Sequence, residues 1–259
     1  MRYGGNTSCV VLNAPDHDPI TFDMGTGLRV WGQTQPLDGS FRGTALVTHV
    51  HFDHVQGLPF FAPADRPGAR FDVYGPPQEG RSLAKCFSEF CCQPYFPISV
   101  EQFRGTIKFH AAGVGEFQVG RATVLALPVP HVGPTVGYRV TIDGVSVVYI
   151  SDHQQPLDRS NSIAPEVLQL CENADLVIHD AQYTPAEWEI KAHWGHCTID
   201  YAMHVASSAG AKALALFHHD PGHGDDYLDA LGASATKAGA ALGLKVITAR
   251  EGLTVSLGS

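Results

Sequence analysis

Short apolar runs rich in β-branched residues predict strands through the first two-thirds of the chain. Residues 44–48 form one such run, and residues 71–74 and 122–129 form two more, each ended by Gly or Pro. Over residues 136–151, apolar residues alternate on both sides of Asp143-Gly144, a pair typical of a tight hairpin turn. This part of the chain is therefore predicted to consist mostly of sheet.

Helical spacing of apolar residues is found later in the chain, where helices and strands alternate. Thr198 is placed to cap a helix that runs to Ser208, and Gly210 is placed to end it, because glycine accepts the left-handed backbone that follows many helices. The other predicted elements are helices over residues 164–173 and 225–242, strands over 175–179 and 213–217, and a last hairpin over 244–257 that turns at Glu251-Gly252. This alternation predicts an α/β fold, with helices covering sheets in a single domain over residues 1–259.

The composition is that of a globular protein with an excess of histidine. Apolar residues make up 44% of the chain and charged residues 17%, so a largely disordered chain is excluded. The formal charge of −9 argues against a protein that holds nucleic acid by neutralising many phosphates. The 14 histidines are nearly as numerous as the 17 lysines and arginines, which points to metal or proton chemistry.

The sequence carries no signal for export or membrane insertion. The N-terminus lacks the apolar stretch of a secretory signal, and no uncharged apolar run is long enough to cross a bilayer. The six cysteines include no Cys-x-x-Cys pair, and we expect all of them to be reduced, with Cys197 as a small packing residue. We therefore predict a cytoplasmic protein without a membrane partner.

Four potential metal ligands lie within six residues, directly after the strand that ends at Thr48. The sequence there is His49-Val50-His51-Phe52-Asp53-His54. Residues two apart in an extended backbone project to the same side, so His49 and His51 can share one ion, and the two residues after Phe52 can face a second. Imidazole nitrogen and carboxylate oxygen suit Zn²⁺, with Mn²⁺ or Fe²⁺ as alternatives. The spacing predicts a metal site, and an ordinary polar surface loop is the weaker interpretation.

This motif resembles the His-x-His-x-Asp-His hallmark of the metallo-β-lactamase-fold hydrolases, which also stands at a strand end. Three later residues are similar to that family's remaining ligand positions, in the same order: His131 after a Pro, Asp152 after the predicted hairpin, and His218 after the strand over 213–217. Residues 4–8 look like the family's usual start of an early strand. The resemblance implies an αββα sandwich of two mixed β-sheets covered by helices.

The resemblance also implies a ligand set for two divalent ions. The set is His49, His51 and His131 for one ion, Asp53, His54 and His218 for the other, and Asp152 between them. Neighbouring residues at a strand end point in different directions, so His218 and His219 should not both bind. We favour His218, because it directly follows the apolar run, and we expect His219 to be a neighbour of the site.

Two further segments are similar to the tRNase Z and phosphodiesterase branch of this family. Residues 177–181 resemble that branch's His-Glu-Ala segment, and residues 195–198 resemble its Gly-His-Ser-Thr segment at a helix start. The resemblance implies that Asp180 orients His196, which protonates the leaving oxygen, while Asp53 aligns the nucleophile. A carboxylate partner fixes the imidazole tautomer, as a general acid requires. Taken alone, His196 is an ordinary histidine at the start of a helix.

Two departures from that branch affect the expected substrate and the expected sheet. The tRNA-processing members carry a long Gly/Pro-rich arm, whereas the twenty residues between His131 and Asp152 here form the hairpin. Without an arm and with a charge of −9, extended binding of nucleic acid is expected to be weak. Relatives often carry a strand before the segment over residues 4–8, so we expect either a missing sheet edge or an unusual start site.

We predict a metal-dependent hydrolase, and specifically a phosphodiesterase for a small or cyclic phosphodiester. The resemblance implies that a hydroxide bridging the two ions attacks phosphorus. Three alternatives stay open, namely a tRNA 3′-processing endonuclease, a cytosolic lactonase or thioester hydrolase, and a non-catalytic metal-binding sensor. The expected partner is a small-molecule substrate, and a homodimer also stays open.

Aromatic segments and histidines outside the ligand set each admit two interpretations. Residues 90–97 either cover the metals and stack on a base or ring, or pack against the sheet. For Trp188 and Trp194, packing is favoured over lining the mouth of the site, and residues 58–61 are expected in the core. His153 has no motif support, although its position after Asp152 makes a supporting role an alternative.

Overall fold

The computed structural model describes residues 2–258, which fall into two compact units. The N-terminal unit comprises Asn6–Gly115 and Val119–Arg121. The C-terminal unit comprises the residues up to Gly5, then Glu116–Gln118, and the chain from Ala122 onward. Each unit carries its own sheet and its own core, and the organisation as a single domain stays a prediction.

Within the described residues, the N-terminal unit is built on a mixed sheet of five strands in the order β1-β2-β3-β4-β5. The first two strands pair antiparallel and all later neighbours pair parallel. The strands are β1 (Val10–Leu12), β2 (Ile20–Phe22), β3 (Arg42–Leu46), β4 (Arg70–Gly75) and β5 (Thr106–Ala111). The helices are α1 (Gly27–Gly32), α2 (Phe52–Val55) and α3 (Leu83–Phe90).

Strand β3 lies in the middle of this sheet and is buried along most of its length. Its residues after Arg42 are all buried, as expected for a parallel strand covered on both faces. Phe41, Phe61 and Phe71 pack edge to face or tilted beside it, with ring centroids 5.2–5.8 Å apart. The chain leaves this fixed strand directly into the motif that begins at His49, so the core holds the start of the motif in place.

The C-terminal unit is built, within the described residues, on a mixed sheet of seven strands in the order β12-β11-β10-β9-β8-β7-β6. Strands β9 to β12 pair parallel, and β7, β8 and β9 pair antiparallel. The strands are β6 (Gly115–Val119), β7 (Ala122–Pro128), β8 (Val136–Ile142), β9 (Val145–Ile150), β10 (Leu176–Asp180), β11 (Ala213–Phe217) and β12 (Lys245–Thr248). The helices are α4 (Pro165–Cys171), α5 (Pro185–Lys191), α6 (Ile199–Ser208) and α7 (Asp225–Ala241).

Local signals for turns and caps in this unit are confirmed. The hairpin turns at Asp143 and Gly144, whose φ values of +51° and +80° are those of a tight turn with both central residues left-handed. The hydroxyl of Thr198 accepts a 3.1 Å hydrogen bond from the backbone N–H of Tyr201, which caps α6. Gly210 ends that helix with φ of +67°. The predicted α/β class with two mixed sheets is therefore correct.

The parallel strands of the C-terminal unit bring three predicted site residues to one edge of its sheet. In the strand register, Ile150 of β9 pairs with His179 of β10, and Asp180 pairs with Phe217 of β11. Asp152, Asp180 and His218 therefore all lie at the carboxyl ends of neighbouring strands. In open parallel sheets this edge is where ligands bind.

One strand prediction was wrong, and it concerns the last hairpin. Strand β12 and the turn at Glu251 and Gly252 form, but the structure assigns no returning strand within residues 253–258. The turn bonds to the N-terminal segment instead, because Glu251 N–H donates to the Tyr3 carbonyl at 3.0 Å and its carboxylate accepts from Gly5 N–H at 2.7 Å. The first strand of the N-terminal sheet begins at Val10, shortly after residues 4–8.

The expected core segment over residues 58–61 is only partly buried. Leu58 and Phe61 are 0% and 1% exposed, whereas Phe60 is 59% exposed. The reason is a 3₁₀ turn over Leu58–Phe60, which directs successive side chains to different sides. The run of apolar residues therefore predicts more buried side chains in this segment than the structure contains.

All six cysteines lie in the described residues, and all are free thiols. Cys197 is fully buried, and its burial raises the pKa of the thiol well above its ordinary value, which agrees with a packing residue. Across residues 2–258, no helix combines the length and the apolar character needed to span a membrane.

Candidate metal centre

In the N-terminal unit, a buried carboxylate holds the start of the predicted motif. Asp23 is 0% exposed, and it accepts hydrogen bonds from the backbone N–H of Thr48 at 2.7 Å and from the Thr48 hydroxyl at 3.0 Å. The Thr48 oxygen lies in turn 3.0 Å from Nδ1 of His49. These contacts fix the first histidine through both its backbone and its ring.

The rings of His49 and His51 direct one nitrogen each to the same point. Nε2 of His49 lies 2.9 Å from Nδ1 of His51, and the ring centroids are 4.4 Å apart at 78°. His49 is 2% exposed, whereas His51 is exposed to solvent. Two imidazole nitrogens that face each other in this way are a suitable donor pair for a divalent cation. The predicted spacing therefore produces the predicted convergence.

His54 and Asp53 form a second donor pair in the same motif. Nδ1 of His54 donates to Asp23 at 2.7 Å, which selects the tautomer with Nε2 as the acceptor nitrogen. The Asp53 carboxylate lies 3.2 Å from that Nε2 atom. His54 is fully buried while Asp53 is half-exposed, so this pair combines a fixed ligand with one that solvent can reach.

Sequence reasoning missed Asp23, although it contacts both halves of the motif. The one local signal is an acidic residue placed directly after the buried strand Ile20–Phe22. Its φ of +58° is uncommon outside glycine, although aspartate tolerates it better than most residues. Partners of this kind orient metal-binding histidines and fix their tautomers.

In the C-terminal unit, Asp152 lies at the centre of three predicted histidines. One of its oxygens is 3.7 Å from Nε2 of His131 and 3.7 Å from Nδ1 of His196, and the other is 3.8 Å from Nε2 of His218. These distances exceed hydrogen-bond length. Ligands of one tetrahedral zinc ion, each at about 2.0–2.1 Å, lie roughly 3.4 Å from one another, so the spacing of Asp152 from Nε2 of His131 and from Nε2 of His218 fits shared cations.

Gly195 orients His131 within this group. The Gly195 carbonyl accepts a 2.7 Å hydrogen bond from Nδ1 of His131, which leaves Nε2 facing Asp152. Gly195 has φ of +94°, and a Cβ at this position would lie 2.4 Å from two atoms of the His131 ring. Only glycine allows this close approach, so the Gly-His segment serves His131 as well as His196.

Asp180 and His196 form the hydrogen bond that the resemblance implies. Nδ1 of His196 donates to the Asp180 carboxylate at 2.9 Å, and Asp180 is fully buried. The His196 ring stacks on His218 at 5.1 Å with an interplanar angle of 18°, and Tyr183 meets its edge. With Nδ1 committed to Asp180, Nε2 is the atom that remains to exchange a proton with a substrate.

The structure separates His218 from His219. His218 has φ of +56°, and its Nε2 atom lies beside Asp152, in a group of donor atoms that also includes His196. His219 instead places Nε2 3.0 Å from the carbonyl of Ala249, and burial lowers its pKa. The geometry therefore favours His218 for the site, in agreement with the sequence-based preference, and its role as a ligand stays a prediction.

A pair of buried histidines supports Asp180, and sequence reasoning gave it no definite role. His153 donates its backbone N–H to the Asp180 carboxylate at 3.0 Å, and its Nδ1 lies 3.0 Å from Nε2 of His179. Nδ1 of His179 bonds the Asp180 carbonyl at 2.7 Å. Burial lowers the pKa of both rings, so both are neutral at pH 7 and can act as donor and acceptor in sequence.

The aromatic segments take different positions in the two units. Trp188 is 5% exposed and packs as expected, whereas Trp194 is 65% exposed. In the loop over residues 90–97, Phe90 and Phe96 pack partly against the core of the N-terminal unit, while Tyr95 is 79% exposed. Packing against the core is therefore seen for part of the loop, and a role of the loop in covering the metals stays a prediction.

Comparison with known proteins identifies a family and several similar folds. The family model described as beta-lactamase superfamily domain matches residues 22–219. Ribonuclease Z from Acaryochloris marina is 27% identical, with 91% of this chain and 87% of that protein covered. Among solved structures, the metallo-beta-lactamase fold protein YhfI from Bacillus subtilis has a TM-score of 0.73 at 20% identity, with 98% and 96% of the two chains covered. The short form of human tRNase Z has a TM-score of 0.66 at 21% identity, with coverages of 98% and 93%.

Proposed function

The chain belongs to the β-lactamase superfamily, and from that membership we propose that it is a phosphodiesterase for small or cyclic phosphodiesters. It is a metal-dependent hydrolase whose relatives include enzymes named ribonuclease Z, so the resemblance to the tRNase Z and phosphodiesterase branch is confirmed. The observation that carries the finer proposal is the hydrogen bond between His196 and the buried Asp180, next to the donor atoms around Asp152.

The proposed ligands fit two divalent ions, with Zn²⁺ as the preferred metal. They are His49, His51, Asp53, His54, His131, Asp152 and His218. Imidazole nitrogens and carboxylate oxygens make up the whole set, which suits Zn²⁺ and also admits Mn²⁺ or Fe²⁺. When bound, such ions supply a nucleophile from water at neutral pH and stabilise charge on the phosphoryl oxygens.

His196 is proposed as the general acid. Asp180 accepts the Nδ1 proton and holds the ring in one tautomer and one orientation, so a proton on Nε2 is directed to the leaving alkoxide. The backbone N–H of His153 donates to the Asp180 carboxylate, and Nδ1 of His179 bonds the Asp180 carbonyl, so Asp180 is fixed without a positive charge beside it. Asp53, which is half-exposed next to a fixed histidine, is proposed to align the attacking group.

The charge of the chain favours a small substrate over an extended one. Extended RNA is bound largely through Lys and Arg contacts to phosphates, and this chain carries nine more acidic than basic side chains. The hairpin over β8 and β9 also leaves no room for an inserted arm between His131 and Asp152. The identity to ribonuclease Z favours a second candidate, an endonuclease that processes tRNA, which the same experiment must test.

The test compares His196→Ala with His204→Ala in metal-loaded protein. His204 lies on α6, the helix that follows His196, and bonds the Asn161 carbonyl, so it is a matched histidine outside the proposed machinery. Using a nucleoside cyclic phosphate, whose alkoxide leaving group needs a proton, we expect kcat of His196→Ala to fall by about 10²–10⁴-fold with metal content unchanged. Bis-p-nitrophenyl phosphate should be affected less, because p-nitrophenolate leaves without an acid. The acid assignment is therefore judged on the cyclic phosphate. Asp152→Ala should lose metal.

Normal turnover by His196→Ala would remove the acid assignment. The same screen includes a precursor tRNA, a lactone and a thioester. Cleavage of the tRNA alone would replace the proposed function with RNA processing, and activity on the lactone or thioester alone would replace it with acyl hydrolysis. Bound metal with no activity on any substrate would favour the sensor.

A further inference from the structure

Five aromatic side chains in the N-terminal unit lie in the metal motif, in the turn over residues 58–60 that follows it, or in the loop over residues 90–97, and we refer to them as the aromatic rim. Its members are Phe52, Phe60, Phe90, Tyr95 and Phe96. We propose that the rim binds the aromatic base of the substrate, which makes nucleoside phosphodiesters the preferred substrate class. This inference rests on the proposed phosphodiesterase function.

The rim is continuous with the metal motif through Phe52. This residue stands between His51 and Asp53, two proposed ligands, and its side chain is 68% exposed. Phe52 is the first residue of α2, and its ring meets Phe90 edge to face at 6.1 Å. Phe52 therefore connects the rim to the metal motif along the chain and offers an exposed ring beside two proposed ligands in the sequence.

A second ring pair extends the rim. Phe60, which is 59% exposed, meets Phe96 edge to face at 5.7 Å with an interplanar angle of 82°. Edge-to-face pairs leave the face of one ring open, and an open aromatic face is the surface on which a base stacks. The two pairs thus offer stacking faces rather than a closed hydrophobic core.

The rim is held in position by the core beneath it. Phe90 contacts the fully buried Phe87 at 5.1 Å, and Phe87 contacts Phe109 of β5 at 5.0 Å. The backbone N–H groups of Tyr95 and Phe96 both donate to the Cys92 carbonyl at 2.8 Å. Rings that are already fixed lose little conformational entropy when a base stacks on them.

The exposed area of the rim suits a small molecule better than a second copy of the chain. Phe52, Phe60 and Tyr95 are each more than half exposed, and aromatic side chains of about 200 Å² give roughly 400 Å² in total. A stable protein interface takes about 800 Å² from each partner. The largest apolar patch on a typical monomer has about this size and is often functional.

The test uses two cyclic diesters of the same reacting group, adenosine 2′,3′-cyclic phosphate with a base and glycerol 1,2-cyclic phosphate without one. For metal-loaded wild-type protein we expect a higher kcat/KM on the adenosine substrate. Phe52→Ala and Phe60→Ala should each lower the ratio of the two kcat/KM values on the order of 10-fold, mainly through KM. Phe52→Leu keeps an apolar side chain without an aromatic face and should lower the ratio as well.

Val114→Ala is the control, because Val114 is equally exposed in the same unit and lies outside the rim. It should leave the ratio unchanged. Equal loss on both substrates, or no change in the ratio, would overturn the inference while the phosphodiesterase function stands. A dimer in light scattering that Phe52→Ala converts to a monomer would also overturn it. Absence of hydrolysis of every diester would instead overturn the proposed function.

Discussion

Replacing Gly195 with alanine tests whether the backbone that orients His131 is needed for metal binding. The Gly195 carbonyl accepts the Nδ1 proton of His131 at 2.7 Å, and the glycine has φ of +94°. An added Cβ would lie 2.4 Å from Cε1 and from Nδ1 of that ring. Since Cβ atoms do not approach other atoms so closely, either the ring or the backbone must move.

The expected loss of stability has two parts, the cost of left-handed backbone for alanine and the cost of overpacking. Gly144→Ala measures the backbone cost alone. Gly144 has φ of +80°, and no atom lies within 4 Å of the position that a Cβ would take, so its alanine variant carries only the left-handed backbone cost of about 1–2 kcal/mol. Gly195→Ala carries this cost and an overpacking cost of about 1–3 kcal/mol against His131. Changes in groups that orient a ligand typically lower metal affinity by about 10–100-fold.

Two measurements separate these effects. Urea unfolding with a chelator present gives the stability of each metal-free variant, and competition with a chromophoric chelator gives its affinity for Zn²⁺ or Mn²⁺. We expect Gly195→Ala to be the less stable variant and to bind metal about 10–100-fold more weakly than Gly144→Ala. Equal metal affinities in the two variants would refute the reasoning, because His131 would then either not bind metal or not depend on Gly195.

Three further predictions concern buried and paired side chains. Asp23→Asn keeps the shape and the positive φ but replaces the acceptor of His54, so we expect weaker metal binding and a loss of about 1–3 kcal/mol in urea unfolding; unchanged values would contradict this. The hydrogen bond from Lys212 lowers the pKa of the Asp175 carboxyl below its ordinary 3.8. The carboxylate therefore contributes to stability above pH 3.8, and this contribution is lost as pH falls through the lowered pKa. Asp175→Asn should therefore unfold with a smaller change in Tm between pH 6 and pH 3, and a Tm curve parallel to wild type would argue against it. Iodoacetamide at pH 8 should modify half-buried Cys92 well before Cys197, whose burial raises the pKa of the thiol, as mass spectrometry of the folded protein can check; faster modification of Cys197 would exclude this packing.

The sequence predicts those elements of the fold whose own residues combine a periodic apolar pattern with a recognisable turn or cap. The hairpin around Asp143-Gly144 and the helix capped by Thr198 both combine a periodic run with a turn or cap residue, and both form as predicted. Strands β1 and β2 have three residues each, which is too short for a period to be recognised. Helix α1 contains a glycine at each end and lacks a capping side chain, so it has no start signal.

The C-terminal hairpin shows why an alternating pattern alone does not predict a strand. The segment after Gly252 alternates apolar and polar residues, which makes it compatible with a strand, but pairing in a hairpin also depends on the turn that precedes the segment. Glu251 bonds Tyr3 and Gly5 instead, and these partners are more than 240 residues away in the chain. Hydrogen bonds to a distant segment cannot be recognised from the local pattern of apolar and polar residues.

The difference between local sequence signals and contacts with distant segments also explains which parts of the candidate site could be predicted. Candidate ligands can be recognised because each follows the end of a strand, as His49, His131 and His218 all do. The hydrogen-bond acceptors that orient these histidine rings do not have to follow the end of a strand. Nδ1 of His131 uses a backbone carbonyl, and the corresponding atom of His54 uses a carboxylate 31 residues earlier.

These acceptors decide which nitrogen of each ring can meet a metal or a substrate, so they matter as much as the donors. A hydrogen bond from Nδ1 to a fixed acceptor leaves Nε2 for the site, and this holds for His54, His131 and His196. Any carboxylate or peptide carbonyl in the right place can serve, so residue identity does not reveal it. We therefore expect a variant that keeps every motif residue but loses one acceptor, such as Gly195→Ala, to lose metal affinity that no motif search would anticipate.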